Sequence, residues 1–403
     1  MTSPKGGDGR PVVINATNLG CYLDGIGTYT FNLLRELTTV RTGLRFIVYV
    51  NRTAADHLSG LAIPDHWTLK WVSPRVSPDN GFKGHLLRFL LSNLIGLRHP
   101  RSLIVTASQL EAIFFRSRQV VTIHDVIPLL FRECHRKQYF YFRRLLPFVL
   151  RKAQAIITPS RHTKGLLEQI YNLPPEKIKV IPNGVRLADL GDTDDAQRFR
   201  RPFILFTGRI VRMKNITGVL RAFGLVQNRI PHALVIAGHG RERMEKLFDE
   251  ERLREYGIDR GRVHFAGHVS FEQLASLLRS ADALVFPSFY EGFGLPPLEA
   301  MKAGCPAIVS RAGSLPEVCE NAAYYVDPYD TEGIARGIHA VISDARLRAR
   351  LIRNGFERAA RFSWVTSARQ HLLVVTEMEH RENEAPHPVH MARPAIGPSP
   401  PSS

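Results

Sequence analysis

Short apolar runs alternate with segments of helical periodicity along most of this chain. The first run, residues 11–15, is followed by a loop with two glycines and then by residues 30–37, where Phe31, Leu34 and Leu37 recur at helical spacing. This order predicts the strand, loop and helix that open a doubly wound α/β domain. Further strands of this half are predicted at residues 45–50, 102–105, 119–123 and 155–157, with a last one in 172–185.

A second series of the same kind begins after a polar segment. Residues 188–200 have the composition of a linker. Strands are then predicted at residues 203–206, 233–236, 263–265, 283–286 and 306–309. A chain of 403 residues has room for two domains of ordinary size. The sequence therefore predicts one domain in residues 1–187 and another in 201–365, with a ligand cleft between the carboxyl ends of their strands.

The charge of the chain is strongly basic and unevenly distributed. The formal net charge is +17, and residues 1–195 hold 26 Lys/Arg against 15 Asp/Glu, a difference of +11. Charge of this sign favours an anionic partner, which leaves nucleic acid, an acidic membrane surface and phosphorylated substrates open. No recognised nucleic-acid-binding motif accompanies the charge, so nucleic acid is not expected as a partner.

The cysteines and the apolar segments indicate the compartment. The four cysteines form no CxxC or metal-ligand pattern, and they are expected to be reduced thiols of a cytoplasmic protein. Residues 1–10 are polar and do not have the pattern of a signal peptide. No segment approaches the roughly 20 apolar residues that a membrane-spanning helix needs.

The densest chemical pattern lies in residues 286–306. Glu291 and Glu299 are eight positions apart, and a turn rich in glycine and proline separates them. The apolar run before the turn predicts a buried strand, and Pro296 and Pro297 suit the first turn of a helix. Glu291 is therefore expected on a loop at the carboxyl end of a strand, with Glu299 one or two turns into the next helix. The backbone amides of residues 292–295 would then face an anion at the helix N-terminus.

This pattern resembles the paired-glutamate motif of the family-four retaining glycosyltransferases, which have the two-domain GT-B fold. The resemblance implies two Rossmann-like, doubly wound domains that face each other across a cleft, with the first on the acceptor side and the second binding a nucleotide-sugar donor. Glu291 would face the transferred sugar and stabilise positive charge at its anomeric carbon, and Glu299 would bind the ribose hydroxyls. A strand–turn–helix corner with two surface glutamates is the alternative interpretation. The donor would also contact the turn at Gly292, Phe293, Gly294 and Leu295.

A cationic motif follows the first predicted strand of the second domain. Arg209 and Lys214 lie in a loop that starts at Gly208 and ends where a helix starts. The planar guanidinium of Arg209 and the compact ammonium of Lys214 together suit a diphosphate. The resemblance implies that both neutralise the leaving nucleoside diphosphate and that Gly208 contacts the donor. Two solvated charges in a surface loop are the alternative. No Asp-x-Asp metal-binding motif is present at a place where a metal could assist the reaction, so neither a metal nor another cofactor is expected.

Three further places match the family. His124 and Asp125 end a hydrophobic strand, and the resemblance assigns His124 to a hydroxyl of the donor sugar and Asp125 to orienting the loop, although a lone histidine there is more often structural. The loop with Gly25 and Gly27 lacks the full GxGxxG spacing, so a tight strand–helix turn is an equal alternative. In the family this loop lies beside the donor phosphate and the acceptor entrance. Residues 267–269, which include Val269, match the family loop that contacts the nucleobase through its backbone, so the resemblance implies this contact for Val269.

The basic residues of the first half include a cluster in residues 135–152, which predict an amphipathic helix despite Pro147. Arginines recur on one face, and apolar residues occupy the other. A domain helix with its charged side in water is the common outcome. The alternative is that this face docks on anionic lipid near a lipid-linked acceptor, with apolar insertion from residues 82–97. The arginines are Arg136, Arg143, Arg144 and Arg151.

The combined pattern predicts a retaining glycosyltransferase that is cytoplasmic and peripherally associated with the inner face of the membrane. Its expected reaction transfers a hexose, in first place mannose from GDP-mannose, to a lipid-linked saccharide acceptor in surface-polysaccharide assembly. Three alternatives stay open. The transferred sugar could be glucose, rhamnose or N-acetylglucosamine, the acceptor could be soluble or phosphorylated, and the protein could be a non-catalytic nucleotide-sugar sensor. The fold also implies a helix in residues 366–382 that crosses back to the first domain. Residues 383–403, rich in proline and serine, are expected to be disordered.

Overall fold

The computed structural model describes residues 10–187, 202–238 and 249–383. Two β-sheets form its framework, and every strand pairing in the described residues is parallel. The strands are β1 (Val12–Ala16), β2 (Phe46–Asn51), β3 (Trp67–Val72), β4 (Ile104–Thr106), β5 (Gln119–Thr122), β6 (Ala155–Thr158), β7 (Ile178–Val180), β8 (Phe203–Thr207), β9 (Ala233–Ala237), β10 (Val263–Gly267), β11 (Ala283–Phe286), β12 (Ala307–Ser310) and β13 (Ala323–Val326). The first sheet has the order β3-β2-β1-β4-β5-β6-β7, and the second has the order β10-β9-β8-β11-β12-β13.

Helices alternate with these strands, as parallel crossover connections require. A π-helical turn, Tyr141–Leu145, joins the fifth helix to the sixth, and a 3₁₀ turn, Arg212–Lys214, precedes the eighth. The helices are α1 (Gly25–Thr39), α2 (Ala55–Ser59), α3 (Gly81–Arg98), α4 (Ile127–Leu130), α5 (Arg136–Phe140), α6 (Leu146–Lys152), α7 (Arg161–Tyr171), α8 (Ile216–Val226), α9 (Glu250–Glu255), α10 (Phe271–Ser280), α11 (Leu295–Ala303), α12 (Leu315–Cys319), α13 (Thr331–Ser343), α14 (Ala345–Ala359) and α15 (Trp364–Asn383).

The central strands are apolar because helices cover both faces of each sheet. All five residues of β1 and of β8 are buried. Each sheet has its own hydrophobic clusters, so each domain buries a core of its own. The fold class predicted from the sequence, two Rossmann-like α/β domains, is confirmed.

Two edge strands escaped the sequence analysis. In β3 only the first residue, Trp67, is buried, and in β13 only the first and last residues are buried. Edge strands have one neighbour and are partly open to solvent, so they lack the continuous apolar run that marks the central strands. The predicted linker, residues 188–200, and residues 384–403 of the predicted tail lie outside the described residues.

The last helix, α15, packs against the first domain although it follows the second in sequence. Trp364 at its start is buried in the core cluster of the first domain. Further along, His371 Nε2 is 2.7 Å from the hydroxyl of Tyr29, and Arg118 forms an ion pair of 2.9 Å with Glu379. These contacts couple the end of the chain to the first sheet. In the described part of the chain, no helix is both long enough and apolar enough to cross a membrane.

Candidate active site

A cavity between the two domains collects the predicted site residues at the carboxyl ends of the two sheets. Its volume is about 340 Å³, which is in the range of small-ligand sites. The first domain contributes the start of α1 and the loop after β5, and the second contributes the loops after β8, β10 and β11. Twelve predicted residues line it: Gly25, His124, Gly208, Arg209, Lys214, Val269, Glu291, Gly292, Phe293, Gly294, Leu295 and Glu299.

Gly27 is the predicted site residue that does not line this cavity. It is buried in the first turn of α1, and its amide donates to Oδ1 of the N-cap residue Asp24 at 2.9 Å. This amide already has an acceptor in the tight strand–helix turn, and a contact between Gly27 and the donor stays a prediction. Gly25, at the start of the same helix, does line the cavity.

The loop that carries Glu291 is held by both domains. Within the second domain, the Ser314 amide donates to the carbonyl oxygen of Glu291 at 3.0 Å. From the first domain, the Ser160 hydroxyl donates to the carbonyl oxygen of Gly292 at 2.9 Å. A Cβ atom on Gly292 would lie 2.4 Å from the carbonyl oxygen of His124. Gly292 therefore permits the close approach of the two domains that brings Glu291 to the first domain.

Lys214 and Glu291 form an ion pair in the cavity. Lys214 Nζ lies 2.6 Å from Glu291 Oε1 and 4.8 Å from the centroid of the Phe286 ring. Lys214 ends the 3₁₀ turn, and the next residue, Asn215, has a left-handed φ of 58° and caps α8 by accepting from the Gly218 amide. Both charged side chains are largely buried, so water screens the pair little. An anionic ligand would compete with Glu291 for the lysine charge.

Arg209 supplies a second positive charge to the cavity. It follows Gly208, whose φ of +133° lies in a region that glycine adopts readily, and its side chain is exposed. Arg212 is outside the cavity lining and forms an exposed ion pair of 3.5 Å with Glu133 of the first domain. Among the described residues, the cationic side of the cavity therefore consists of Arg209 and Lys214.

Free backbone amides lie beside these cations. The amides of residues 292–295 have no hydrogen-bond acceptor within the described part of the chain. Gly294, with a φ of +104°, is the N-cap of α11, and Pro296 and Pro297 follow in its first turn. Prolines lack the amides that a helix start leaves unpaired, so the free donors are those of the preceding loop. Such donors suit an anion.

Glu299 is the second carboxylate of the cavity, one turn into α11. Its side chain is 8% exposed, and burial raises its pKa to about 7. No basic side chain in the described residues forms an ion pair with it. A ligand hydroxyl that donates to Glu299 would stabilise the ionised form, so the carboxylate is prepared to accept hydrogen bonds from a polar ligand.

We expect Glu299→Gln to raise the melting temperature of the ligand-free protein at pH 8 and to change it little at pH 5. The folded-state pKa of about 7 is above the ordinary glutamate pKa of 4.5. Proton binding by Glu299 therefore contributes stability that is complete below pH 4.5 and is lost as the pH rises through 7. Glutamine stays neutral and avoids this loss. The loss in the free energy of unfolding is roughly 1.4 kcal/mol for each unit by which the pKa is raised on folding.

Thermal unfolding of the variant and of the wild type at both pH values measures this effect. Glu357→Gln, which changes an exposed glutamate of α14, is the matched control and should show no such pH dependence. A stability difference of equal size at pH 5 and pH 8 would contradict the assignment of the buried charge.

His124 is neutral at physiological pH. Its Nε2 atom lies 2.8 Å from the carbonyl oxygen of Ala107, so Nε2 must carry the hydrogen, and its ring packs edge-on against Tyr29 at 4.6 Å. Burial lowers its pKa to about 4. Nδ1 is then unprotonated and accepts hydrogen bonds, which suits contact with a ligand hydroxyl better than proton abstraction.

Asp125 orients the loop next to His124. Its Oδ1 accepts from the amide of Ile127 at 2.9 Å. Its pKa is raised to about 6: burial and the nearby Glu291 carboxylate raise it, whereas the hydrogen bond from Ile127 and the charges of Arg209 and Lys214 lower it. Asp125 also lines the cavity, so the structure places it within reach of the charged centre.

Sequence reasoning missed several residues that line the cavity. Gly238 follows β9 as Gly208 follows β8, and a Cβ atom on Gly238 would lie 1.8 Å from the carbonyl oxygen of Gly208. A glycine directly after an apolar strand was an available signal for this backbone contact. His268 lies in the loop that the resemblance singled out but was not itself named as a site residue, and its ring lies 5.0 Å from that of Tyr22 of the first domain. The missed lining residues include Asp24, Thr207, Gly238, His268 and Ser270.

Two family models match the chain, one on each domain. The model described as Glycosyltransferase Family 4 matches residues 23–189, and the model described as Glycosyl transferases group 1 matches residues 194–358. The two matches together extend over most of the chain.

Curated relatives and solved structures agree with these matches. The O-antigen chain mannosyltransferase B of Escherichia coli is 27% identical over 376 residues, which are 85% of this chain and 93% of that protein. The O-antigen chain mannosyltransferase RfbU of Salmonella typhimurium is 31% identical over 215 residues, 53% of this chain and 57% of that protein. The sucrose-phosphate synthase of Thermosynechococcus elongatus superposes with a TM-score of 0.74 at 21% identity, covering 92% of this chain and all of that one. HepE of Anabaena, solved with UDP and glucose, superposes with a TM-score of 0.69 at 18% identity, and the match covers 91% of this chain and 99% of that one.

Proposed function

The chain belongs to the family-four glycosyltransferases and has the GT-B fold, and we propose that it is a retaining hexosyltransferase that uses a nucleotide-sugar donor. One observation carries this proposal: a single cavity brings together a carboxylate paired with a lysine, a second cation, free backbone amides and a neutral histidine. The cationic side fits a diphosphate, and the carboxylate side fits a sugar on which positive charge develops.

The donor is proposed to lie along this cavity in a defined direction. Arg209, Lys214 and the amides of residues 292–295 bind the diphosphate, and Glu299 accepts from the ribose hydroxyls. The loop at Val269 contacts the base through its backbone. His124 accepts from a sugar hydroxyl through Nδ1, since its Nε2–H is already used by Ala107.

In the proposed step, the bond between the anomeric carbon and the leaving phosphate oxygen breaks, and its electron pair stays on the phosphate. The oxygen of the acceptor hydroxyl bonds to the anomeric carbon on the same face, so the configuration is retained, and its proton passes to the leaving phosphate oxygen. Lys214 and Arg209 stabilise the negative charge of the departing diphosphate, and Glu291 stabilises the positive charge of the sugar ring. Because two cations serve the diphosphate, the proposal includes no divalent cation, and activity should persist in a chelator.

Mannose from GDP-mannose is the donor that we propose first. The support is that two of the relatives carry the name O-antigen chain mannosyltransferase, and the proposed acceptor is a lipid-linked saccharide of surface-polysaccharide assembly. The test incubates the purified protein with GDP-mannose, UDP-glucose, dTDP-rhamnose or UDP-N-acetylglucosamine and a membrane lipid extract, and follows product by NMR.

We expect an α-linked mannosyl product from GDP-α-mannose. A β-linked product would contradict retention. Transfer from another donor would reassign the sugar, and transfer to soluble sugars without lipid would reassign the acceptor. Donor binding without transfer to any acceptor would favour a nucleotide-sugar sensor.

The same proposal places the protein at the cytoplasmic face of a membrane. The helical segment 136–152 has the two faces that the sequence predicted: Phe142, Leu146, Val149 and Leu150 are buried, whereas the arginines are exposed. Two aromatic side chains of this segment, Phe140 and Phe148, are also exposed. Exposed arginines with exposed aromatic rings are suited to an anionic lipid surface.

Reversing three of these charges should release the protein from acidic vesicles. The variant Arg136→Glu, Arg143→Glu, Arg144→Glu removes attraction of about 1 kcal/mol per residue near the surface and adds repulsion, so we expect binding to fall by at least roughly 100-fold. Cosedimentation with vesicles that contain phosphatidylserine measures it. The control reverses Arg346, Arg350 and Arg353, which are exposed on α14 and change the net charge equally.

Unchanged vesicle binding by the first variant would remove the lipid surface from the proposal. An equal loss in the α14 control would show that only net charge matters, and this too would contradict a specific docking face.

A further inference from the structure

Helix α3 exposes apolar side chains and buries polar ones. Its buried side carries Gly84, Arg88 and Ser92. Arg88 is 2% exposed and is held inside by Glu111, with Nε 2.7 Å from Oε1. The Ser92 hydroxyl accepts from Nδ2 of Asn15 at 2.9 Å. A contiguous exposed apolar face indicates an apolar partner. The exposed side chains are Phe82, Leu86, Leu87, Leu90, Leu94 and Leu97.

A groove of about 750 Å³ lies between the first turns of α3 and the helical segment 135–145. The rings of Phe82, Phe89 and Phe140 contribute to its walls, and Leu86 and Leu145 also line it. Its volume is within the range of ligand sites, and its walls are predominantly apolar. The groove therefore fits a hydrocarbon chain better than a saccharide.

The start of α3, which forms one wall of the groove, is held against the loop that leads into the donor cavity. The Cys21 amide donates to Asp79 Oδ2 at 2.9 Å, which ties the approach to α3 to the loop that leads into α1. From this end, the 18 residues of α3 extend for about 27 Å. The exposed apolar strip thus begins at the end of α3 that is hydrogen-bonded to the loop before α1.

Positive charge lies along the groove. Arg136 and Lys137 line it and are exposed, and Lys137 Nζ lies 3.8 Å from the centroid of the Phe82 ring. Neither forms an ion pair with a carboxylate of the described residues. Burial lowers the pKa of His85 to about 4, with Arg88 acting in the same direction, so this histidine is neutral. An amphiphile with a hydrocarbon chain and an anionic group would satisfy both properties of the groove.

We propose that this groove binds the hydrocarbon chain of a phosphorylated lipid acceptor, with the lipid phosphate near Arg136 and Lys137 and the saccharide extending into the donor cavity. The inference rests on the proposed transfer to a lipid-linked acceptor and names the subsite that holds the lipid. It predicts a preference for acceptors with both a chain and a phosphate, because each part has its own contact surface.

The probe for this subsite is dodecyl phosphate below its micellar concentration, and its binding to the full chain is measured by calorimetry. We expect saturable binding, with inorganic phosphate and dodecanol each at least roughly tenfold weaker. Leu86→Glu puts a carboxylate into the groove wall and should weaken dodecyl phosphate binding by at least roughly tenfold. Leu225→Glu is the matched control, since Leu225 of α8 is exposed to a similar degree, 57% against 50% for Leu86.

GDP binding by the same variants separates this inference from the proposed function. Intact GDP binding with lost dodecyl phosphate binding in Leu86→Glu supports the groove. Absence of saturable binding by the wild type, or an equal loss in Leu225→Glu, would overturn the groove while GDP binding persists. Inorganic phosphate that binds as well as dodecyl phosphate would also overturn it, because the chain would then contribute nothing. If the wild type does not bind GDP, that result would instead count against the proposed function.

Discussion

Replacing Lys214 with alanine is expected to lower kcat for sugar transfer by roughly 10²- to 10³-fold. The lysine ammonium lies 2.6 Å from Glu291 inside the cavity and is only 15% exposed, so solvent screens its charge poorly. Negative charge develops on the leaving diphosphate as the glycosidic bond breaks, and the variant lacks the buried cation that meets it. KM for the donor should rise less, because Arg209 and the free amides of residues 292–295 still bind the diphosphate.

Steady-state transfer kinetics measure this effect, with thermal unfolding as a check that the variant is folded. Lys70→Ala is the matched control, since Lys70 is an exposed lysine of β3 outside the cavity. Lys214→Arg keeps the charge and should recover part of the rate. A Lys214→Ala variant that keeps more than roughly a tenth of the wild-type kcat would contradict the role given to this lysine.

Replacing Glu291 with glutamine is expected to lower kcat by at least roughly 10²-fold while GDP binds as tightly as before or more tightly. Glutamine has the same shape but cannot stabilise positive charge at the anomeric carbon. It also releases Lys214 from its partner at 2.6 Å, so the lysine charge becomes fully available to the diphosphate. Opposite effects on transfer and on nucleotide binding distinguish this chemistry from a damaged loop.

Calorimetry with GDP and transfer assays on the same preparation test the second prediction. Glu357→Gln, the exposed glutamate already used as a control, should leave both quantities unchanged. If Glu291→Gln loses GDP binding and activity together, the residue supports the loop and does not act on the sugar. If transfer is unchanged, Glu291 is not part of the reacting site.

The sequence predicted those features that depend on local pattern. Central parallel strands are buried on both faces, so β1, β8 and β11 are visible as apolar runs. The loop position of Glu291 and the helical position of Glu299 follow from one short strand–turn–helix pattern. Two prolines suited the helix start and stand in the first turn of α11.

Features that depend on distant contacts were not predictable in this way. The ion pair between Lys214 and Glu291 joins residues 77 positions apart. Arg88 is buried against Glu111, which is 23 positions away, so the local pattern of α3 does not reveal which of its faces is buried. The sequence also did not reveal that the amide of Gly27 donates to the capping side chain of Asp24.

The central claim is that the cavity between the two domains binds a nucleotide sugar. The most direct measurement titrates the purified protein with a panel of nucleotide sugars by calorimetry, alongside the variant Arg209→Ala. Arg209 lines the cavity and is exposed, so the substitution removes a cation without opening a core. We predict that one donor, GDP-mannose first, binds tightly and that the variant loses most of this affinity. Binding of no donor by the wild type, or equal binding by wild type and variant, would contradict the claim.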